Sequence, residues 1–314
     1  MTEHESIELN TTIPTLHALE TSDISAYDAV YLGASFCLLY ADNFITHADD
    51  LSAAVSQLKE NGKSVYLSTY AIPLTADLDL VRENVARGVE AGVDGVEIHN
   101  MGVARLLARE FPGLRLVAGS FSNVYTDMTA AVLKGYGVRR VVPNHELPLE
   151  EIDLLREDTD LEVELLVHGK IPLGVSESCF LLSFQGETGL KCPDLCQHSF
   201  RLRRENWEMV SLGKAVVSGK DMCMVEHLPM LLDSGYRVFR LEGLSESPAY
   251  RATVAAVYRE ALRDATADPE GFRTRTGAYK EQLDRVSTGF CNGYYFGLPG
   301  RFYRDAEGAV HEES

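Results

Sequence analysis

The chain has 314 residues, 45% of them hydrophobic, and a formal net charge of −18 at pH 7. That length and apolar content supply a large buried core and exclude a disordered chain, leaving one α/β barrel or two smaller domains. The charge disfavours a nucleic-acid partner, because such binding draws its affinity from Lys and Arg set against phosphates; the only local basic cluster is RLRR at 201–204, which reads first as a solvated helix or hairpin face. Acidity of this size is also what a salt-adapted proteome shows.

The opening MTEHESIELNTT is acidic and polar, without the basic and apolar regions of a secretory signal, and no apolar run is long enough to span a bilayer. The sequence therefore predicts a soluble, cytoplasmic protein with no membrane anchor. Eight β-branched runs then follow in order: DAVYLGA, SVYLSTY, GVEIHN, RLVAGS, RRVVPN, VELLVHG, KAVVSGK and YRVFRLEG. Their strong apolar character and weak alternation suit strands buried on both faces of a parallel sheet. Between them lie helical patterns such as LSAAVSQLKENG, which Asn61 and Gly62 should terminate.

Strand-then-helix units in this number predict a (β/α)8 TIM-like barrel, regular or irregular, over residues 1–265, with a doubly wound open sheet as runner-up. No GxGxxG follows an early strand and no GxxxxGK[ST] is present, so dinucleotide and P-loop readings lack support. The sixth unit breaks the pattern, since residues 170–213 separate it from the next strand, and a long loop in a compact domain is usually functional. SPAYRATVAAVYREALRDA reads as a closing helix with Pro248 in its first turn, and residues 266–314 as a C-terminal extension packed on the barrel.

In such a barrel the C-terminal strand ends face the active site. The sequence places there Cys37, Ser68, Thr69, His99, Asn100, Ser120 and Asn123, then Asn144, His145, Glu146, His168, Lys220, Asp221 and Glu242. Taken singly, each is more often a hydrogen-bonding loop residue than a catalyst. Gathered on one rim they make a site hypothesis, with His99, Asn144, His145, Lys220 and Glu242 as the catalytic candidates.

Three of the six cysteines, Cys179, Cys192 and Cys196, fall in the sixth loop with spacing C-x12-C-x3-C. Reduced cytosolic thiols at this density argue against a disulfide framework. Zinc knuckles favour paired C-x2-C, which is missing, whereas ligation of a 4Fe-4S cluster by four cysteines tolerates irregular spacing; zinc and purely structural thiols nevertheless stay open on spacing alone. A fourth thiol would be Cys37, if its strand ends on the same rim, or else Cys223; Cys291, flanked by aromatics and glycines, reads as packing.

SGKDMCMVEHLPMLLDSGYRVFRLEG followed by SPAYRATVAAVYREA, together with STGFCNGYYFG, resembles peptidase family U32, the collagenase-like peptidases, over residues 27–297. Within the family, YLGASFC, HGKIPLGVSESCF and CNGY are similar to the UbiV-type iron-sulfur proteins of oxygen-independent ubiquinone biosynthesis, whereas EGLSESPAYR and the C-terminal segment look more like the wider family. The resemblance implies a 4Fe-4S cluster on Cys37, Cys179, Cys192 and Cys196. It implies hydroxylation of an apolar aromatic ring, a ubiquinone precursor, by a component acting with a second U32-type, UbiU-like subunit, and prephenate as a hydroxyl donor whose carboxylates Lys220 would meet. RNA nucleobase hydroxylation and peptidase activity are the alternatives within the family. The peptidase reading finds no HExxH, no GxSxG elbow and no Ser-His-Asp order, and iron would occupy the thiols that a cysteine protease needs.

Overall fold

The computed structural model describes residues 6–40, 43–44, 47–185, 192, 195–197, 200–205, 207–244 and 246–312. Seven strands follow one another around a barrel: β1 (Glu8–Ile13), β2 (Ala29–Leu32), β3 (Ser64–Ser68), β4 (Gly95–Ile98), β5 (Leu116–Ala118), β6 (Val138–Val141) and β7 (Glu162–Val175). Three further strands, β8 (Phe200–Arg204), β9 (Trp207–Ser211) and β10 (Ala215–Cys223), precede β11 (Val238–Glu242). The last of these pairs in parallel with both β7 and β1, so eight parallel strands close into a TIM-like barrel.

Two strand assignments need correction. β1, with the sequence ELNTTI, is a barrel strand that the apolar pattern passes over, because Asn10 and Thr12 occupy it and are buried. KAVVSGK is not a barrel strand: it lies in β10, antiparallel to the long β7, and β9 and β8 extend that ribbon further. β7 thus serves twice, its first half in the barrel and its second half, from His168, in the ribbon.

The barrel's outer surface follows the usual logic of apolar stripes. Helix α1 (Leu16–Glu20) is short, and α2 (Ala48–Glu60) buries Leu51, Ala54, Val55 and Leu58, spaced three and four apart, against Val30, Val65 and their neighbours. It stops where expected, with Asn61 as C-cap and Gly62 at φ 70°. α3 (Leu78–Ala91), α4 (Met101–Glu110), α5 (Asp127–Gly135) and α6 (Leu149–Thr159) alternate with the strands, and the short α7 (Phe180–Gln185) and α8 (Leu228–Asp233) follow β7 and β10 in the chain. α9 (Pro248–Ala267) begins at Ser247, whose hydroxyl accepts from the Tyr250 backbone N–H at 3.2 Å, with Pro248 in its first turn. Beyond residue 266 the chain first forms α10 (Pro269–Asp284), packed on α9, and then β12 (Phe290–Cys291), which pairs with β10.

The barrel interior is charged rather than aliphatic. Arg240 reaches Glu97 at 2.8 Å and Glu164 at 2.6 Å, and lies 4.0 Å from the Tyr31 ring centroid. Arg140 reaches Glu8 at 2.7 Å, Glu162 at 2.5 Å and Glu164 at 3.3 Å, and the Tyr31 hydroxyl donates to Glu164 at 2.6 Å. Arg140, Arg240, Glu97 and Glu164 are buried, so their pairing is obligatory: an unmatched ion at such a position costs roughly several kcal/mol, whereas Glu8 and Glu162 reach solvent at the barrel's end.

Candidate metal centre at the barrel mouth

The ribbon of β7, β10 and β9 lies across the C-terminal mouth of the barrel. Its inward residues Val210, Leu212, Ala215 and Val217 pack with Ala34, Phe36 and Cys37 from the turn after β2. This contact brings the cysteines together. Cys37 is buried at that turn, and Asn43 fixes its loop by donating to the Cys37 carbonyl at 3.1 Å. Cys179 stands just before α7, which the Phe180 N–H, donating to the Gly213 carbonyl at 3.0 Å, ties to the turn between β9 and β10. Gly213 has φ 82°, and a side chain there would stand 3.2 Å from Cys179 Sγ and 3.6 Å from Cys196 Cβ, so the turn leaves the space in which the thiols face one another.

Burial and mutual proximity both favour the neutral form of these thiols. Burial pushes the Cys196 thiol up to about 12, with Cys37, Cys192 and Cys179 adding to it. Burial likewise raises the Cys37 thiol, and Cys192 and Cys179 add to that shift while the nearby Lys214 opposes it. All four are free cysteines. Among the described residues no group of three or more His, Cys, Asp or Glu side chains is placed to hold a metal ion. The donor set is nevertheless four soft sulfurs in one neighbourhood, which fits both a thiolate-ligated iron-sulfur cluster and zinc. Cys223 and Cys291 are elsewhere, fully buried on β10 and β12; the Cys223 thiol lies 3.9 Å from the Tyr258 hydroxyl. Cys37 packs with Leu212 and Ala215, which flank the β9–β10 turn, whereas Cys223 belongs to the main barrel core.

Next to the thiols, under the ribbon, is a cavity of about 60 Å³ lined by Thr12, Ser68, Glu97, His99, Lys170, Arg240 and Glu242 among others. His99 Nε2 is 3.2 Å from both Ser68 Oγ and Glu97 Oε2, and its Nδ1 has no hydrogen-bond partner. Gly119 makes room for this arrangement, since a Cβ there would come within 2.1 Å of the His99 ring. Burial alone would raise the Glu97 carboxyl, but the Arg240 guanidinium and His99 reverse this and hold it below the usual carboxylate range. Burial raises the Glu242 carboxyl, which accepts from Thr12 Oγ1 at 3.1 Å and from the Leu244 N–H at 2.9 Å.

The other sequence candidates are dispersed. His145 is buried and pushed down to about 3, first by burial and then by Arg240, which leaves it neutral. Asn144 is a loop residue, donating to Asn123 Oδ1 at 3.1 Å and accepting from the Glu146 N–H at 2.9 Å. His168 lies within β7 and packs among the rings of Tyr250, Tyr258 and Phe290. Lys220 sits on β10 and lines a different cavity on the outer face of the ribbon, so the cations at the mouth are Lys170 and Arg240 instead. Sequence reasoning misses both, as it misses Glu97 and Thr12. The signal was a charge set alone between apolar neighbours in VEI, VEL and FRL, which in a closed barrel has to point inward and pair.

A TIM-like barrel with a lidded polar mouth and a four-thiol neighbourhood is the class that fold and site define. The chain belongs to peptidase family U32, whose family profile matches residues 15–303. It is 30% identical to an uncharacterized protease of Methanocaldococcus jannaschii over 303 residues, covering 92% of this chain and 73% of that protein. It is 26% identical to a 23S rRNA 5-hydroxycytidine synthase of Escherichia coli, covering 80% of this chain but only 38% of that protein. Identity to tRNA hydroxylation protein P1 of Bacillus subtilis is 24%, over 87% of this chain and 67% of that one. Among solved structures, the octameric ribulose-1,5-bisphosphate carboxylase/oxygenase of Pyrococcus horikoshii aligns with a TM-score of 0.54 at 11% identity, over 90% of this chain and 66% of that one, a likeness of fold alone. Among the described residues no helix is long and apolar enough to cross a membrane.

Proposed function

We propose that this chain is a 4Fe-4S protein acting in oxygen-independent hydroxylation of an aromatic ring, together with a second U32-type, UbiU-like chain. The observation that carries the proposal is the gathering of Cys37, Cys179, Cys192 and Cys196 beside the mouth cavity. Those four residues would hold the cluster, which supplies one-electron chemistry when bound. Relatives named for RNA hydroxylation, at 24–26% identity, support the reaction class.

The residues of the mouth then have distinct tasks. Arg240 Nη2, buried and without a hydrogen-bond partner among the described residues, is the group that would meet a carboxylate of a donor such as prephenate; Lys170 already pairs with Asp221 at 3.3 Å, Glu242 can hold a proton, and the ribbon excludes water. The peptidase reading is the weakest. Ser68 and Glu97 approach the same nitrogen of His99, whereas a triad needs the carboxylate on the opposite one.

For the ring, the net charge of −18 favours a ubiquinone precursor over RNA. The names of the relatives favour a second reading, hydroxylation of an RNA nucleobase. Against direct RNA contact, Arg201 and Arg203 of the basic run both engage Glu208. Co-purification from the native host separates the two readings. We expect a second U32-type chain and no RNA, and tRNA or rRNA fragments retained at about 0.2 M salt, where electrostatic binding is already much weakened, would replace the quinone reading with the RNA one. Assaying each chain alone and then mixed, with substrate and reductant, assigns the catalyst: residual turnover by this chain alone marks it as catalytic, and none as a relay.

A further inference from the structure

Lys214 follows Gly213 in the turn between β9 and β10, the tip of the ribbon, and its side chain is only 14% exposed. Its ammonium donates to the Tyr70 hydroxyl at 3.0 Å and to Glu177 Oε1 at 2.9 Å, and it lies 5.5 Å from the Tyr70 ring centroid. An ammonium has three donors, so one lysine can bridge acceptors on two separate segments.

The two segments bridged here are those that lead to cysteines. Tyr70 is buried in the loop after β3, and the next residue, Ala71, donates its N–H to the Ser35 carbonyl at 2.8 Å, two residues before Cys37. Glu177 stands two residues before Cys179, where the chain leaves β7. The backbone of the turn holds that second segment as well: the Lys214 carbonyl accepts from the Ser176 N–H at 2.7 Å, and the Gly213 carbonyl from the Phe180 N–H at 3.0 Å. The backbone bonds thus tie the Cys179 segment to the turn, and the Lys214 ammonium carries the tie across to Tyr70, on the Cys37 side. Glu177 is 54% exposed, which discounts its ion pair, whereas the Tyr70 hydroxyl belongs to a buried side chain and loses more if left unpaired.

We propose that Lys214 is the positioning residue of the four-thiol site: it fixes the Cys179 segment against the turn that carries Cys37, and so sets how firmly the site retains its metal. This rests on the reading that Cys37, Cys179, Cys192 and Cys196 share one metal centre. It holds for iron-sulfur and for zinc alike, because the clasp acts on the segments and not on the metal's chemistry. Residues that orient metal ligands from behind commonly carry roughly ten- to a hundredfold of metal affinity.

The test follows release of bound metal from protein purified without oxygen to excess 4-(2-pyridylazo)resorcinol, a chelator whose colour reports iron and zinc alike. Lys214→Met should release metal about tenfold faster than wild type. Lys214→Arg, which keeps the charge and the donors, should stay close to wild type. Tyr70→Phe deletes only the hydroxyl and should release metal about fivefold faster, so it tests the same clasp should Lys214→Met fold poorly. Glu177→Gln should quicken release in the wild-type background and change nothing in Lys214→Met, since both act through one contact, whereas separate structural damage would add. Release at the wild-type rate from both Lys214→Met and Tyr70→Phe, or an equal effect of Glu177→Gln in the two backgrounds, would overturn the proposal. Wild-type protein that carries no metal would overturn the four-thiol reading, and the proposal with it.

Discussion

Cys192→Ala and Cys196→Ala are each expected to abolish iron retention in protein purified without oxygen, and Cys37→Ala to do the same. Cys291→Ala and Cys223→Ala should keep it. The grounds are positional: the first three thiols share one neighbourhood under the ribbon with Cys179, whereas Cys223 and Cys291 are sealed in the packing of β10 and β12. Losing one of four thiolates removes a quarter of the ligand set, so the effect is expected to be near-complete loss rather than a weakening. Iron per chain by elemental analysis reads it directly. A Cys37→Ala protein that holds its iron while Cys223→Ala loses it would reverse the assignment of the fourth ligand.

The largest effect on stability should come from Arg240→Met. Glu97, Glu164 and Arg240 are 2%, 0% and 6% exposed, and the arginine is the ion-pair partner of both carboxylates. Removing it leaves Glu97 with Ser68 and His99, and Glu164 with Tyr31 and Arg140, a change that costs about 3–5 kcal/mol when one partner of a buried pair is deleted. The pH dependence has a definite sign. Burial alone would raise the Glu164 carboxyl, and Arg240 and Arg140 reverse this, holding it below the usual range as Arg240 and His99 do for Glu97. Carboxyls depressed in the folded state contribute stability that is present above their unfolded pKa of about 4.3 and is lost as pH falls through the folded values. In Arg240→Met burial is no longer offset, the carboxyls rise, and the deficit against wild type should shrink as pH is lowered from 7 to 5. Urea melts at the two pH values measure this. A deficit under about 1 kcal/mol at pH 7 would mean that the network contributes little.

How much of this was legible in the sequence divides along physical lines. Barrel strands whose inward residues are small or apolar, such as β5, announce themselves by composition, and the amphipathic helices between them do so by spacing. β1 does not, because its inward positions hold Asn10 and Thr12, which serve the polar interior and erase the apolar signal. KAVVSGK reads as a barrel strand because a ribbon covering the mouth is also buried on one face, and strand direction is not written in composition. That misreading moves Lys220 onto the rim and hides Lys170, which lies where β7 leaves the barrel for the ribbon. The turn that carries Cys37 is brought against the β9–β10 turn by a shared rim, which a distant cysteine in the sequence suggests only if that rim is assumed. His145 and Asn144 stand at the rim as expected but in a buried neutral pocket and a loop hydrogen bond, and strand-end position alone does not distinguish these from a catalytic setting.

The central claim is that the four thiols hold a 4Fe-4S cluster, and metal and sulfide analysis of wild-type protein purified without oxygen tests it most directly. The account predicts brown protein with broad absorption near 400 nm, and roughly four irons per chain with as many acid-labile sulfides. Colourless protein carrying stoichiometric zinc on the same four cysteines would contradict it.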